Sequence, residues 1–291
     1  MEMKRCGNVF TLTNMIMRRQ PDMKEIKPSP YRKAIRFFSF CNHLTYGSTD
    51  SVIAETILMH IRNVDRITLE GIADKSNISL SSVSRFFTKC GFDGIQDFKL
   101  SLSEYLNAGG KMRTRSFLRE YAGMEYSDLS RSMKERGENS LNATYMQTDI
   151  EKLQDIVRIF KREQNVMIAG DTRELACFNL LQLDLVCQGI SALFKNINDI
   201  SGSFAGYLRN EKCALCLISV YKGWYTQEIR TLANQAKQYH HPVILFTQDK
   251  AVASDDMDLV FTYGIPGSIN DGYYSLHYLA DMMSAMLYLE E

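Results

Sequence analysis

The sequence predicts a multidomain α and α/β protein: an all-helical helix-turn-helix unit followed by a doubly wound domain with a parallel sheet. Three observations carry this. Residues 48–107 break into short helix-period segments, each opened by a capping residue. From Asn165 onward, unbroken apolar runs rich in β-formers alternate with helical patterns, the signature of strands buried on both faces. Charge divides along the same line. Residues 1–120 hold 19 Lys/Arg against 12 Asp/Glu, and residues 121–291 hold 15 against 22. The net charge of zero therefore hides a basic front, suited to a polyanion, and an acidic back.

Four segments are expected: a basic, partly helical extension (1–45), a helix-turn-helix domain (46–108), a linker (109–140) and an α/β domain (141–291). In the first, Pro21, Pro28 and Pro30 interrupt any helix, and Ala34 to Cys41 reads as one helix or as part of a disordered arm. In the second, Ser48, Thr49 or Asp50 caps a helix through about Arg62, Thr68 caps the next, and Ser79 caps a third that stops at Gly91. A fourth helix begins near Gly94. Gly109 and Gly110 open a polar linker, with helical segments expected around 115–122 and 141–160. Strands are expected at 166–169, 190–194, 213–219, 243–247 and 259–263. Helices are expected from the end of the first strand to about Gln188, from Thr226 to about Tyr239 and from Ser275 to Leu289.

Several function classes recede on composition. No run of about 18 apolar residues exists to span a bilayer, and no signal peptide is visible. Seven irregularly spaced cysteines fit a reducing cytoplasm. Cys213 and Cys216 form a CxxC inside an apolar run with no second ligand pair, so they read as packing, and no metal or other cofactor is expected. The five histidines lie at no catalytic or metal-ligand spacing. No catalytic residue is assigned, and the chain is not expected to be an enzyme.

The stretch 67–92 carries the chemistry. In a helix from Leu80 to about Cys90, Val83 and Phe86 face inward, which leaves Ser81, Ser82, Ser84, Arg85 and Lys89 outside. Short hydroxyls let a recognition helix sit deep in the major groove, and Arg85 and Lys89, four apart, share a face that reaches phosphate or guanine. Thr68 and Ser79 open helices whose N-termini suit phosphates. The partner expected is an operator in double-stranded DNA. The bland alternative is a structural helix pair with ordinary surface hydroxyls.

The pattern TLEGIADKSNISLSSVSRFFTKCGFDGIQDFK closely resembles the N-terminal domain of the MurR/RpiR family of bacterial transcriptional regulators. Ala73, Ser79, Val83, Ser84, Arg85, Phe86, Gly91, Phe92, Gly94, Phe98 and Lys99 carry the likeness. It implies that Ser81 to Arg85 face DNA, and it adds Lys99 to the interface.

A parallel sheet binds ligands beyond the carboxyl ends of its strands. The loops there are 169–174, 219–228 and 247–251, and the first leads into a helix N-terminus, a natural anion site. Candidate ligand residues are Gly170, Thr172, Ser219, Lys222, Gly223, Thr226, Glu228 and Thr247. This half resembles the SIS (sugar isomerase) domain of the same family, which implies a sugar phosphate effector and a homodimer or homotetramer. Its loops depart from the family pattern. Thr172 stands for Ser, Asp171 adds negative charge, and Trp224 is bulky enough to fill a phosphate pocket. A phosphosugar, another ligand and a purely dimerising domain all remain open at this point. A sugar-phosphate isomerase with an accessory helical domain is the rival reading, with Glu228 as the residue to test.

Overall fold

The computed structural model describes residues 30–109, 119–197, 207–209, 211–219, 225–266 and 271–289. The helical unit comprises α1 (Pro30–Asn42), α2 (Thr49–Met59), a 3₁₀ turn (Ile61–Arg66), α3 (Leu69–Ser76), α4 (Leu80–Lys89) and α5 (Ile95–Glu104). The expected caps form. Ser48, Thr68 and Ser79 each accept a hydrogen bond from the backbone N–H three residues on. The turn of the motif passes through Asn77 in the left-handed region, and the Ile78 N–H donates to the Ala73 carbonyl at 3.1 Å. The helix expected to reach about Arg62 stops at Met59, where the chain tightens into the 3₁₀ turn.

An aromatic cluster holds this unit together. Phe37, Phe86, Phe87 and Phe98 are fully buried, and the Phe37 ring lies 5.1 Å from Phe98 and 6.3 Å from both Phe86 and Phe92. Phe37 belongs to α1, so the expected boundary at residue 46 moves: α1 is part of the domain core rather than of an extension. Residues 1–29, the rest of that expected extension, lie outside the described residues. Lys33 donates to Asp97 at 2.6 Å and ties α1 to α5. Gly91 ends α4 at φ +86°, and a Cβ there would lie 2.8 Å from the Arg36 guanidinium, so backbone and space both call for glycine.

The second unit is built from α6 (Tyr126–Gln147), α7 (Ile150–Glu163), β1 (Asn165–Gly170), α8 (Thr172–Ala176), α9 (Asn179–Cys187), β2 (Ser191–Asn196), β3 (Ala214–Ser219), α10 (Thr226–Gln238), β4 (Val243–Thr247), β5 (Leu259–Thr262) and α11 (Gly272–Leu289). Among the described residues these strands form one sheet in the order β2-β1-β3-β4-β5, every pair parallel. Side chains alternate across it. Val166, Ile168, Ile218 and Phe246 pack with α7, α9 and α11. Met167, Leu217 and Leu245 pack on the other face against Ile229, Leu232 and Ala233 of α10. Helices on both faces make the sheet doubly wound, as expected.

Three expectations need correction. The region 109–140 is not linker throughout, because Tyr126–Gln147 is a single helix. The helix expected over 141–160 breaks at Thr148 and Asp149, and Asp149 caps α7 through the Lys152 N–H. The helix expected after β1 is two, α8 and α9, separated at Cys177 and Phe178. Hydroxyls fasten α6 to α11: Ser140 donates to the Asp271 carbonyl at 2.8 Å, and Thr144 donates to the Ser275 hydroxyl at 2.6 Å.

Candidate functional site

The recognition helix is positioned by its buried face. Val83, Phe86 and Phe87 are fully buried, which turns Ser81, Ser84, Arg85 and Lys89 to solvent, with Ser82 half-buried. Hydroxyls cluster at the N-terminus of α4. Ser79 accepts from the Ser82 N–H at 3.3 Å and donates to the Ser82 hydroxyl at 3.0 Å, and its oxygen lies 3.1 Å from that of Ser81. The Arg85 guanidinium donates to the Ser82 hydroxyl at 3.2 Å. Ser79, Ser81, Ser82 and Arg85 therefore form one connected polar array at a positive helix end, suited to base edges and phosphates.

Lys89 sits at the far end of α4 and donates to Asp50 of α2 at 2.7 Å. Lys99 lies on α5, and its ammonium donates to the Asp65 carbonyl at 2.9 Å, so it braces α5 against the 3₁₀ turn. Thr68 is exposed and caps α3 through the Gly71 N–H at 3.0 Å.

In the α/β unit the topological switch falls at β1. The chain leaves β1 to form β2 on one side and returns to β3 on the other, which opens a crevice beyond the carboxyl ends of β1 and β3. Gly170 ends β1 and Ser219 ends β3, and Ser219 is paired in register with Thr247 of β4. Thr226 and Glu228 lie in the first turn of α10. Lys222, Gly223 and Trp224 lie outside the described residues. Thr247 is fully buried, and its hydroxyl closes a local turn, donating to the Asp249 carbonyl and accepting from the Asp249 N–H, both at 3.1 Å.

The first loop is not the open anion site expected of it. Asp171 accepts from the Arg173 N–H at 2.8 Å and the Glu174 N–H at 3.2 Å, while Glu174 accepts from the Asp171 N–H at 2.7 Å. This capping box fills the loop with the chain's own carboxylates. Gly170 makes room for it, since a Cβ there would lie 2.9 Å from a Glu174 carboxylate oxygen. Arg173 pairs with Asp171 at 2.9 Å and lies over the Tyr273 ring at 5.5 Å. Burial works against its charge, but Asp171 more than compensates and holds the guanidinium ionised. The Thr172 hydroxyl accepts from the Asn196 amide at 2.7 Å and lies 3.4 Å from the Ser39 hydroxyl of α1.

Sequence reasoning missed Asn196, Ser39 and the capping box, although the Asp171–Glu174 spacing is a capping-box signature. It also missed Asp50, which shows only as a helix-start residue until α2 and α4 come together. Cys213 and Cys216 are fully buried, and burial pushes the Cys213 thiol up to about 12, as packing residues should behave. No cluster of potential metal ligands occurs among the described residues. His241 is buried: one ring nitrogen accepts from the Cys213 N–H at 3.3 Å and the other lies 2.6 Å from the Leu208 carbonyl. No helix among the described residues is long and apolar enough to cross a membrane.

Comparison with known proteins gives a match over the first unit. Residues 42–109 match the model of the helix-turn-helix domain of the rpiR family. No curated protein matches the chain. Among solved structures, the NanR protein of Vibrio vulnificus, complexed with ManNAc-6P, is 18% identical, with 89% of this chain and 92% of that chain covered and a TM-score of 0.47. The sugar isomerase domain of an RpiR transcription factor from Sphaerobacter thermophilus is 19% identical, with 56% and 90% covered and a TM-score of 0.47. The family match coincides with α2 to α5 and with the exposed array on α4, and it identifies residues 42–109 as a helix-turn-helix domain of the rpiR family.

Proposed function

We propose that this protein is a transcriptional regulator that reads double-stranded DNA with α4 and answers to a phosphorylated sugar held by its α/β unit. One observation carries the proposal. Within the family match, the Ser79–Ser81–Ser82–Arg85 array is exposed at the N-terminus of a helix whose opposite face is wholly buried.

The likeness of the second half to SIS domains supports a sugar phosphate as effector. With the β1 loop occupied by Asp171 and Glu174, the phosphate belongs at the start of α10, near Ser219 and Thr226, where a 13-residue helix offers its N-terminal dipole. The contact between Thr172 and Ser39 of α1 supports communication between crevice and DNA-binding unit, with the ligand shifting a population of head arrangements. Leu180, Leu183 and Val186, exposed along α9, support pairing of subunits through the α/β unit.

The experiment is a thermal-shift panel of sugar phosphates against their unphosphorylated sugars, followed by DNA titration with and without each hit. The proposal expects at least one phosphorylated sugar to raise the Tm and change DNA affinity. DNA binding with no response to any phosphorylated sugar would remove the effector half of it.

A further inference from the structure

A cavity of about 250 Å³ lies between α2, the 3₁₀ turn and α3, lined in part by His60, Asn63, Arg66, Thr68 and Lys75. No α4 residue and no carboxylate lines it. Arg66 and Lys75 are exposed, and neither pairs with an acid among the described residues. His60 orients the lysine. Its Nδ1 lies 2.9 Å from the Thr56 carbonyl, which can only accept, so Nδ1 carries the proton and Nε2 is left to accept from Lys75 at 2.5 Å. Thr68 opens α3 at the same place and engages the Gly71 N–H, while the first N–H groups of a helix have no partner within it. Two cations, a helix start and an acid-free lining form a receptor for a tetrahedral oxyanion.

We propose that this cavity seats a backbone phosphate of bound DNA, with Arg66 and Lys75 as its charged contacts and His60 as the residue that positions Lys75. The inference rests on the DNA-binding reading. In a helix-turn-helix the first helix crosses the DNA backbone while the second enters the major groove, and α3 is that first helix here. The contact is independent of base sequence and adds to those of α4.

The test is the salt dependence of binding to a promoter duplex and to a random duplex, for wild type, for Arg66→Gln/Lys75→Gln, and for Arg131→Gln/Lys134→Gln. The last pair removes the same charge from α6. Circular dichroism and Tm confirm that all three fold. A lost phosphate contact lowers the slope of log K against log salt by roughly 0.9, so the Arg66/Lys75 variant, which loses the one phosphate of the cavity, is expected to lose about 0.9 on both duplexes and the α6 variant none. A wild type that binds while the Arg66/Lys75 variant keeps its slope, or while the α6 variant loses as much, overturns the inference and leaves the DNA-binding reading intact. A wild type that binds neither duplex at low salt removes that reading and this inference with it. Stabilisation of wild type alone by inorganic phosphate, with an unchanged DNA slope in the variant, assigns the cavity to a free anion and also overturns the proposal.

Discussion

Replacing Phe37 by alanine tests whether α1 is part of the DNA-binding unit. The side chain is fully buried, and its ring lies 5.1 to 6.3 Å from the rings of Phe38, Phe86, Phe92 and Phe98. Removing a ring from such a site loses its transfer free energy and leaves a cavity, at a cost of about 3–5 kcal/mol. A small domain has a total stability of about 5–15 kcal/mol, so the loss is a large part of it. The cavity would open against Phe86, on the buried face of α4, so the recognition helix should feel it directly. Amide hydrogen exchange of the full-length protein reads this by segment. Amides in α4 that exchange through global opening of the unit should do so roughly one hundred to several thousand times faster in the variant. Peptides from β1 and β3, in a separate core, should not change. If α4 exchanges within about threefold of wild type while only α1 loosens, α1 is an appended arm and the reasoning from the aromatic cluster is refuted.

Three further outcomes are expected. Ser79→Ala removes the cap of α4 and should cost about 1 kcal/mol in denaturant titration, with Ser79→Gly costing less. Asp50→Asn frees Lys89 and removes a negative charge beside the interface, so binding to random duplex at low salt should tighten by up to about fivefold, the scale of an exposed ion pair. Burial alone would raise the Asp97 pKa, but hydrogen bonds from Lys33 and the Asp93 N–H outweigh it and hold the carboxyl below its ordinary 3.8. A depressed folded pKa means that the stabilisation is present above 3.8 and is lost as pH falls through the lower folded value. Lys33→Met should therefore cost about 1–3 kcal/mol near neutral pH, and its gap from wild type should narrow in acid, as urea titrations across the pH range would show.

How much of this was legible in the sequence depended on what each element buries. The strands were legible because both faces of the sheet are covered: CALCLIS and VILFT read as unbroken apolar runs. The recognition helix was legible because Val83 and Phe86 set its inner face and Ser79 its start. The helix α6 was not, because its buried residues are Ser140 and Thr144, hydroxyls satisfied by Asp271 and Ser275 rather than leucines at helical spacing. The Phe37 contacts were hidden for another reason. Pro28 and Pro30 marked the segment as irregular, and the rings that Phe37 meets in the rest of the unit, Phe86, Phe92 and Phe98, lie at least 49 residues away in the sequence. At the candidate site, the sequence pattern set the hydroxyls and Arg85 of α4 outside its buried face, where the structure has them, and Lys99, carried in by likeness, donates to the Asp65 carbonyl. The first crevice loop looked like an anion cradle because a strand end followed by a helix start is one. The carboxylates that fill it come from the same loop, which no spacing to a distant partner reveals.

The central claim is that α4 reads DNA. It is tested most directly by titrating a labelled duplex from upstream of the protein's own operon, at moderate salt and with excess random competitor, using wild type and Arg85→Ala. The account predicts that wild type prefers its own duplex and that the variant, losing a contact of about 1–3 kcal/mol, binds it roughly 5- to 150-fold more weakly with relaxed preference. No preference by wild type, or equal binding by both proteins, would contradict it.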